Sequence, residues 1–168
     1  MPVGTADSFP SCGEPAVTSS TSAVPRWASD PRWRRGWPRP ISLADRLTDD
    51  AAHWLPRPRD THIRKVALPN CPTEGVRAEH SGTARAILYL HGGAFLTCGL
   101  NTHRALVLCL SRSADAPVLY VGYRLQPRYP IGSAVADALD DYRWLPETGY
   151  GDGDIVVAGD SAAATLLS

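Results

Sequence analysis

DIVVAGDSAA, residues 154–163, divides into a short strand-like segment, Asp154 and four apolar residues, and a cluster of small residues around Ser161. The run at 154–158 is short and apolar on both faces, as expected of a strand buried in a sheet. Helix-compatible residues follow Ser161. Two readings fit this strand-to-helix step. In the first, a sharp turn holds the serine hydroxyl above the sheet edge, which requires small residues two before and two after it. Gly159 and Ala163 meet that requirement, although Ala163 stands where such elbows usually carry glycine. In the second, Ser161 is an ordinary helix N-cap after a buried strand.

A second short strand, ARAILYL at 84–90, ends at His91-Gly92-Gly93-Ala94-Phe95. Consecutive glycines let a backbone turn its N–H groups into a cavity. A tetrahedral intermediate needs such donors about 3 Å from its developing oxyanion. The alternative is a plain glycine turn. The order of the two motifs, glycine loop first and serine second, is the one a hydrolase of α/β type uses.

Between and around them the chain alternates. Strands are expected at 62–68, 75–80, 84–90, 117–123 and 154–158, with PNCPTEG as a turn between the first two. Thr102 is expected to cap a helix reaching Ala114, with Ala105, Leu106 and Leu110 on one face, and Cys109 on its inner stripe. A second helix is expected over 133–145. Its inner stripe reads Val135, Ala138, Leu139, Tyr142 and Leu145, with Asp137, Asp140, Asp141 and Arg143 outward. Apolar strands alternating with helices imply a mostly parallel sheet covered on both faces, with chemistry at the carboxyl ends of its strands.

The first 40 residues read differently. Ser, Thr, Pro and Gly crowd 1–25, and 25–40 holds five Arg, three Trp and four Pro. The composition implies a disordered tail over 1–40. The prolines exclude an interfacial helix there. Residues 41–60 read as a cap-like helical segment, with an apolar stripe at 43, 47, 51 and 54 closed by prolines at 56 and 58. Residues 61–168 form the folded domain.

Of 168 residues, 17 are basic and 17 acidic. The balance gives no electrostatic footprint for nucleic acid or an anionic membrane surface. Sixteen of the basic residues are Arg, and Lys65 is the one Lys. No apolar run approaches the ~18 residues of a membrane span, and the N-terminus has no signal-peptide pattern. Cys12, Cys71, Cys98 and Cys109 lie too far apart for a zinc or redox pair. Free thiols in a reducing cytoplasm are expected, with no metal and no cofactor.

With HGGAF at 91–95, YRLQPRYP at 123–130, DDYRWL at 140–145 and GDSA at 159–162, residues 60–168 resemble the hormone-sensitive-lipase group of α/β-hydrolases, the fold-3 carboxylesterases and lipases. The similarity looks closest to mycobacterial members. The resemblance implies the N-terminal half of an α/β-hydrolase sheet acting on a small acyl-ester substrate. It implies Ser161 as nucleophile. It implies an oxyanion hole from the backbone of Gly92, Gly93, Ala94 and Ala162. His91, Gly159 and Asp160 are then structural members of the motifs, with Asp160 pointing away from the serine.

Three departures from the family pattern stand out. Ala94 replaces a third glycine. Arg128 reverses a charge in the segment after Tyr123, where Gln126 also departs. Only seven residues follow Ser161, whereas the family's acid and catalytic histidine come later in the order Ser…Asp/Glu…His. His53, His62, His80 and His103 are the candidates for a substitute base. A thiol nucleophile at Cys98 or Cys109 is disfavoured against a buried small side chain.

Two functional classes therefore compete. One is a carboxylic-ester hydrolase, weak or inactive as this chain. The other is a non-catalytic remnant that keeps the site architecture without its base. A third, weaker reading is a carboxylate-binding module. The apolar strand 154–158, left with nothing after it, is expected to promote self-association.

Overall fold

The computed structural model describes residues 60–166, together with 47, 49–52 and 54. The tail expected over 1–40 and most of the segment over 41–60 lie outside the described residues.

Five strands form one mixed sheet: β1 (Thr61–Val66), β2 (Thr73–Ala78), β3 (Ala86–Leu90), β4 (Val118–Val121) and β5 (Ile155–Gly159), in the order β1-β2-β4-β3-β5. β1, β2 and β4 pair antiparallel, while β4, β3 and β5 run parallel. Two helices, α1 (Arg104–Ser113) and α2 (Ile131–Glu147), make the crossovers.

Strand alternation assigns each helix its own face, because successive side chains of a strand point to opposite sides. Leu88 and Leu90 of β3 and Leu119 and Val121 of β4 pack with Ala134, Ala138 and Leu145 of α2. Their neighbours Ile87, Tyr89, Val118 and Tyr120 pack with Val107 and Leu108 of α1. β3 and β4 are therefore buried on both sides, and their near-continuous apolar runs follow from that.

Ala138 and Leu145 are buried and Tyr142 and Leu110 pack against the core as expected, but both helices are turned from the rest of the expected face. On α2 the buried positions are Ala134, Asp137, Ala138, Asp141 and Leu145, and Val135 and Leu139 are exposed. Asp137 goes inside because Arg124 follows it, with its side chain as close as 2.6 Å to Oδ1 and its backbone N–H 2.9 Å from Oδ2. Asp141 goes inside because Thr73 Oγ1 donates to it at 2.6 Å. Paired carboxylates can be buried where unpaired ones cannot. On α1 the inner face is Val107, Leu108 and Ser111, while Ala105 and Leu106 are exposed, and Leu110 and Cys109 are only half-buried. Ser111 is inside because its hydroxyl accepts from Ala78 N–H and donates to the Ala116 carbonyl.

Thr102 does not cap α1. Its hydroxyl closes a tight turn with Gly99, and His103 occupies the N-cap position without a side-chain bond to the helix N–H groups. The segment after Ser161 is a 3₁₀ helix, Ser161–Leu166, instead of an α-helical start.

β5 pairs with β3 on one side and has no strand on its other side among the described residues. Val156 and Val157 on it are 51% and 37% exposed.

Candidate active site

The parallel register of β3 and β5 places Leu90 opposite Gly159. The residues that leave the two strands, 91–94 and 160–162, therefore emerge side by side at the carboxyl edge of the sheet. Loops at that edge are where α/β folds bind ligands.

Ser161 sits on the second loop with φ +52° and is exposed. A left-handed φ at a non-glycine residue is costly and is held here by its surroundings. An N-cap serine has extended backbone, so this geometry departs from the capping alternative. The neighbouring small residues are needed as well. A Cβ on Gly159 would lie 2.9 Å from the Leu90 carbonyl oxygen and 3.3 Å from the Ala163 Cβ. Ala163 is fully buried.

The glycine loop is equally constrained. Gly93 has φ +109°, and a Cβ there would fall 2.1 Å from the Thr97 carbonyl oxygen. Ala94 and Phe95 follow at φ +56° and +61°. Ala94 thus takes a left-handed conformation that glycine adopts without penalty. The turn closes through Leu96 and Thr97 N–H groups on the Gly93 carbonyl. The Gly92 N–H is already committed: it donates to Asp160 Oδ1 at 2.8 Å.

His91 is buried and stacked on Tyr123, with ring centroids 4.4 Å apart. Its Nδ1 donates to the Gly92 carbonyl at 2.8 Å, since a carbonyl can only accept. The Tyr123 hydroxyl donates in turn to the His91 carbonyl. Burial pushes the imidazole down from 6.5 to about 4, so it is neutral near pH 7.

The remaining histidines do not gather at Ser161. His103 has Nε2 at 3.6 Å from Asp160 Oδ2 and Nδ1 at 3.1 Å from Thr102 Oγ1. His62 and His80 are exposed on and beside β1 and β2, and His53 lies outside the described residues. The structure thus brings together Ser161, Ala162, Asp160 and the loop 91–94, with His103 beside Asp160.

Several contributors had no signal in the sequence. Asp49 accepts from the backbone N–H groups of Asn101 and Thr102 and from the Asn101 side chain, tying residues 49–52 to the turn after the glycine loop. A cavity of about 530 Å³ lies nearby, lined among others by Asp49, Glu74, His91, Cys98, Arg104 and Tyr123. Arg104 holds both oxygens of Glu74 at 2.9 Å across one side of it. No group of three or more His, Cys, Asp or Glu among the described residues is placed to hold a metal. No helix among them is long and apolar enough to cross a membrane.

This fold, with a strained serine after one parallel strand and a glycine loop after its neighbour, is that of an α/β-hydrolase. The family model described as the alpha/beta hydrolase fold matches residues 87–168. Esterase LipU of Mycobacterium tuberculosis is 53% identical over 125 residues, covering 71% of this chain and 42% of LipU. Carboxylesterase/phospholipase LipF of the same organism is 45% identical over 115 residues, covering 66% of this chain and 31% of LipF. Among solved structures, an esterase from the bacterial hormone-sensitive lipase family superposes with TM-score 0.70 at 31% identity, covering 82% of this chain and 46% of that one. EstE5, in crystals soaked with ethyl alcohol, gives 0.68 at 33% identity, covering 79% and 46%. The chain spans less than half the length of these relatives.

Proposed function

We propose that this chain carries the nucleophile and the oxyanion donors of a serine carboxylic-ester hydrolase acting on small acyl esters. The observation that carries the reading is Ser161: exposed, at φ +52°, between Gly159 and Ala163, on the loop beside residues 91–94. Ser161 Oγ adds to the acyl carbonyl, and the amides of Gly93, Ala94 and Ala162 receive the oxyanion. The bond to the alcohol oxygen then breaks, and the serine proton ends on the departing alcohol. Gly92 leaves the donor set, because its N–H is bonded to Asp160.

Among the described residues no histidine is bonded to Ser161 to take its proton. The ring nitrogens of His103 face Asp160 and Thr102, and His91 Nδ1 faces Gly92. A serine without a base is a poor nucleophile, and a triad lacking a member retains only ~10³–10⁴-fold catalysis over water. The same observation favours the second reading, a remnant that keeps the site and does not turn over. Incubation with an organophosphonate, read by intact mass, separates them. Slow single labelling on Ser161, lost in Ser161→Ala, supports the hydrolase reading. Absence of any adduct on Ser161 supports the remnant.

Smaller observations bear on the compartment and contacts of the chain. Among the described residues, Cys71, Cys98 and Cys109 form no disulfide, which suits a reducing cytoplasm. Balanced charge argues against nucleic acid as a partner. The open edge of β5 supports self-association through residues 154–158. Asp49, bonded to the turn at 101–102, supports a cap-like role for its segment.

A further inference from the structure

Asp160 links the two loops of the candidate site. Its Oδ1 accepts from the Gly92 N–H at 2.8 Å and from the Tyr89 hydroxyl at 2.7 Å. Its Oδ2 stands 3.6 Å from His103 Nε2. These partners come from three places: β3, the loop that follows it, and the residue before α1. The fit at Gly92 admits no side chain, since a Cβ there would lie 2.2 Å from Asp160 Oδ2 and 3.0 Å from its backbone carbonyl oxygen. Asp160 also precedes Ser161 directly. One residue thus touches the glycine loop through its side chain and the serine through its peptide bond. Its side chain is 38% exposed, so hydrogen bonds rather than apolar packing hold it.

We propose that Asp160 is a positioning residue: by holding Gly92 it sets the Gly93 and Ala94 amides at the right distance from Ser161. This rests on the reading of Ser161 as the nucleophile. Asp160 touches no substrate and acts through Gly92. The role needs an acceptor oxygen more than a charge. Asparagine at 160 keeps an oxygen that can accept from both Gly92 and Tyr89, whereas alanine keeps none. Loss of one oxyanion donor costs about 10²–10³ in rate. A loosened loop misplaces donors without deleting them, so the expected loss on Asp160→Ala is smaller, about tenfold.

The test compares the full chain with Asp160→Ala, Asp160→Asn and Val76→Ala. Val76→Ala weakens the core under β2, away from both loops. Two readouts are taken. The first is the Gly92 amide proton in ¹⁵N-resolved spectra, which a bond to a carboxylate shifts downfield. The second is the rate of organophosphonate labelling at Ser161, corrected for folded fraction. Asp160→Ala should move the Gly92 proton upfield and slow labelling about tenfold, while Asp160→Asn and Val76→Ala stay within about threefold of the parent. If Asp160→Ala does not fold, Asp160→Ser replaces it with the same expectation, its side chain being too short to reach Gly92.

The proposal is overturned if the alanine or serine variant leaves either readout in place. It is equally overturned if Asp160→Asn falls as far as alanine, or if Val76→Ala slows labelling as much. Labelled parent protein with unmoved variants removes this proposal alone. Parent protein that never labels removes the nucleophile reading, and this role with it.

Discussion

Leu90 and Gly159 face each other across the β3–β5 ladder, and the Leu90 carbonyl oxygen is 2.9 Å from where a Cβ on Gly159 would stand. The obstacle is backbone, which cannot rotate away. Gly159→Ala is therefore expected to destabilise the fold by about 1–3 kcal/mol, as overpacking commonly does. Thermal unfolding measures it. A melting temperature equal to that of the parent would mean that the two loops are not held as tightly as their spacing implies.

Ala94 gives the opposite expectation. At φ +56° its methyl group costs roughly 1–2 kcal/mol relative to a residue without Cβ. Ala94→Gly should recover about 1 kcal/mol, part of the gain being offset by the greater freedom of glycine in the unfolded chain. Labelling at Ser161 should change little, because the donor is the backbone N–H. A large acceleration would show that the methyl group distorts the donor set.

Two buried groups make stability depend on pH in opposite directions over nearly the same range. His91 is lowered from 6.5 to about 4, chiefly by burial. Its folded state binds fewer protons than the unfolded chain, so its contribution is complete above 6.5 and is lost as pH falls toward 4. Asp141 is raised from 3.8 to about 6, again chiefly by burial, against the Thr73 bond that lowers it. Its folded state binds more protons, so stability declines as pH rises from about 4 to 6. Asp141→Asn keeps an acceptor for Thr73 and removes the second effect. Its advantage over the parent should be small at pH 4 and reach about 2–3 kcal/mol above pH 6. Denaturant unfolding at pH 4, 5, 6 and 7 checks this; an advantage that shrinks with rising pH contradicts the assignment.

Among the described residues no strand pairs with the outer side of β5, where Val156 and Val157 are exposed. An apolar edge without charge or proline templates pairing with other strands. The chain is expected to elute as oligomer or aggregate, and Val156→Lys should shift it toward monomer. Size-exclusion chromatography with light scattering decides. A monodisperse 18 kDa parent with a cooperative melt would sink the expectation.

Much of this arrangement was legible from local pattern. The strands at 86–90, 118–121 and 155–159 lie within two residues of their expected ends, because short apolar runs followed by glycine or polar clusters mark strands, although the one at 155–159 is partly exposed and not buried as its run implied. The two motifs also fell at strand ends as expected. What periodicity missed were the features that depend on partners far along the chain. Asp137 and Asp141 read as solvated because their partners, Arg124 and Thr73, lie 13 and 68 residues away. The direction of Asp160 was foreseen only negatively, as pointing away from Ser161. Its bond to Gly92 spans 68 residues, and no spacing rule reports it. Thr102 misled because a capping-type residue before a helix can also close its own turn with Gly99.

The alternation of side chains through β3 and β4 also governs how damage spreads. Val107 packs in one cluster and Leu145 in the other, with the hydrogen-bonded backbone between them. The molecule therefore behaves as two laminated cores sharing a wall. Truncations at these two positions should sum independently, with a coupling energy near zero in a double-mutant cycle.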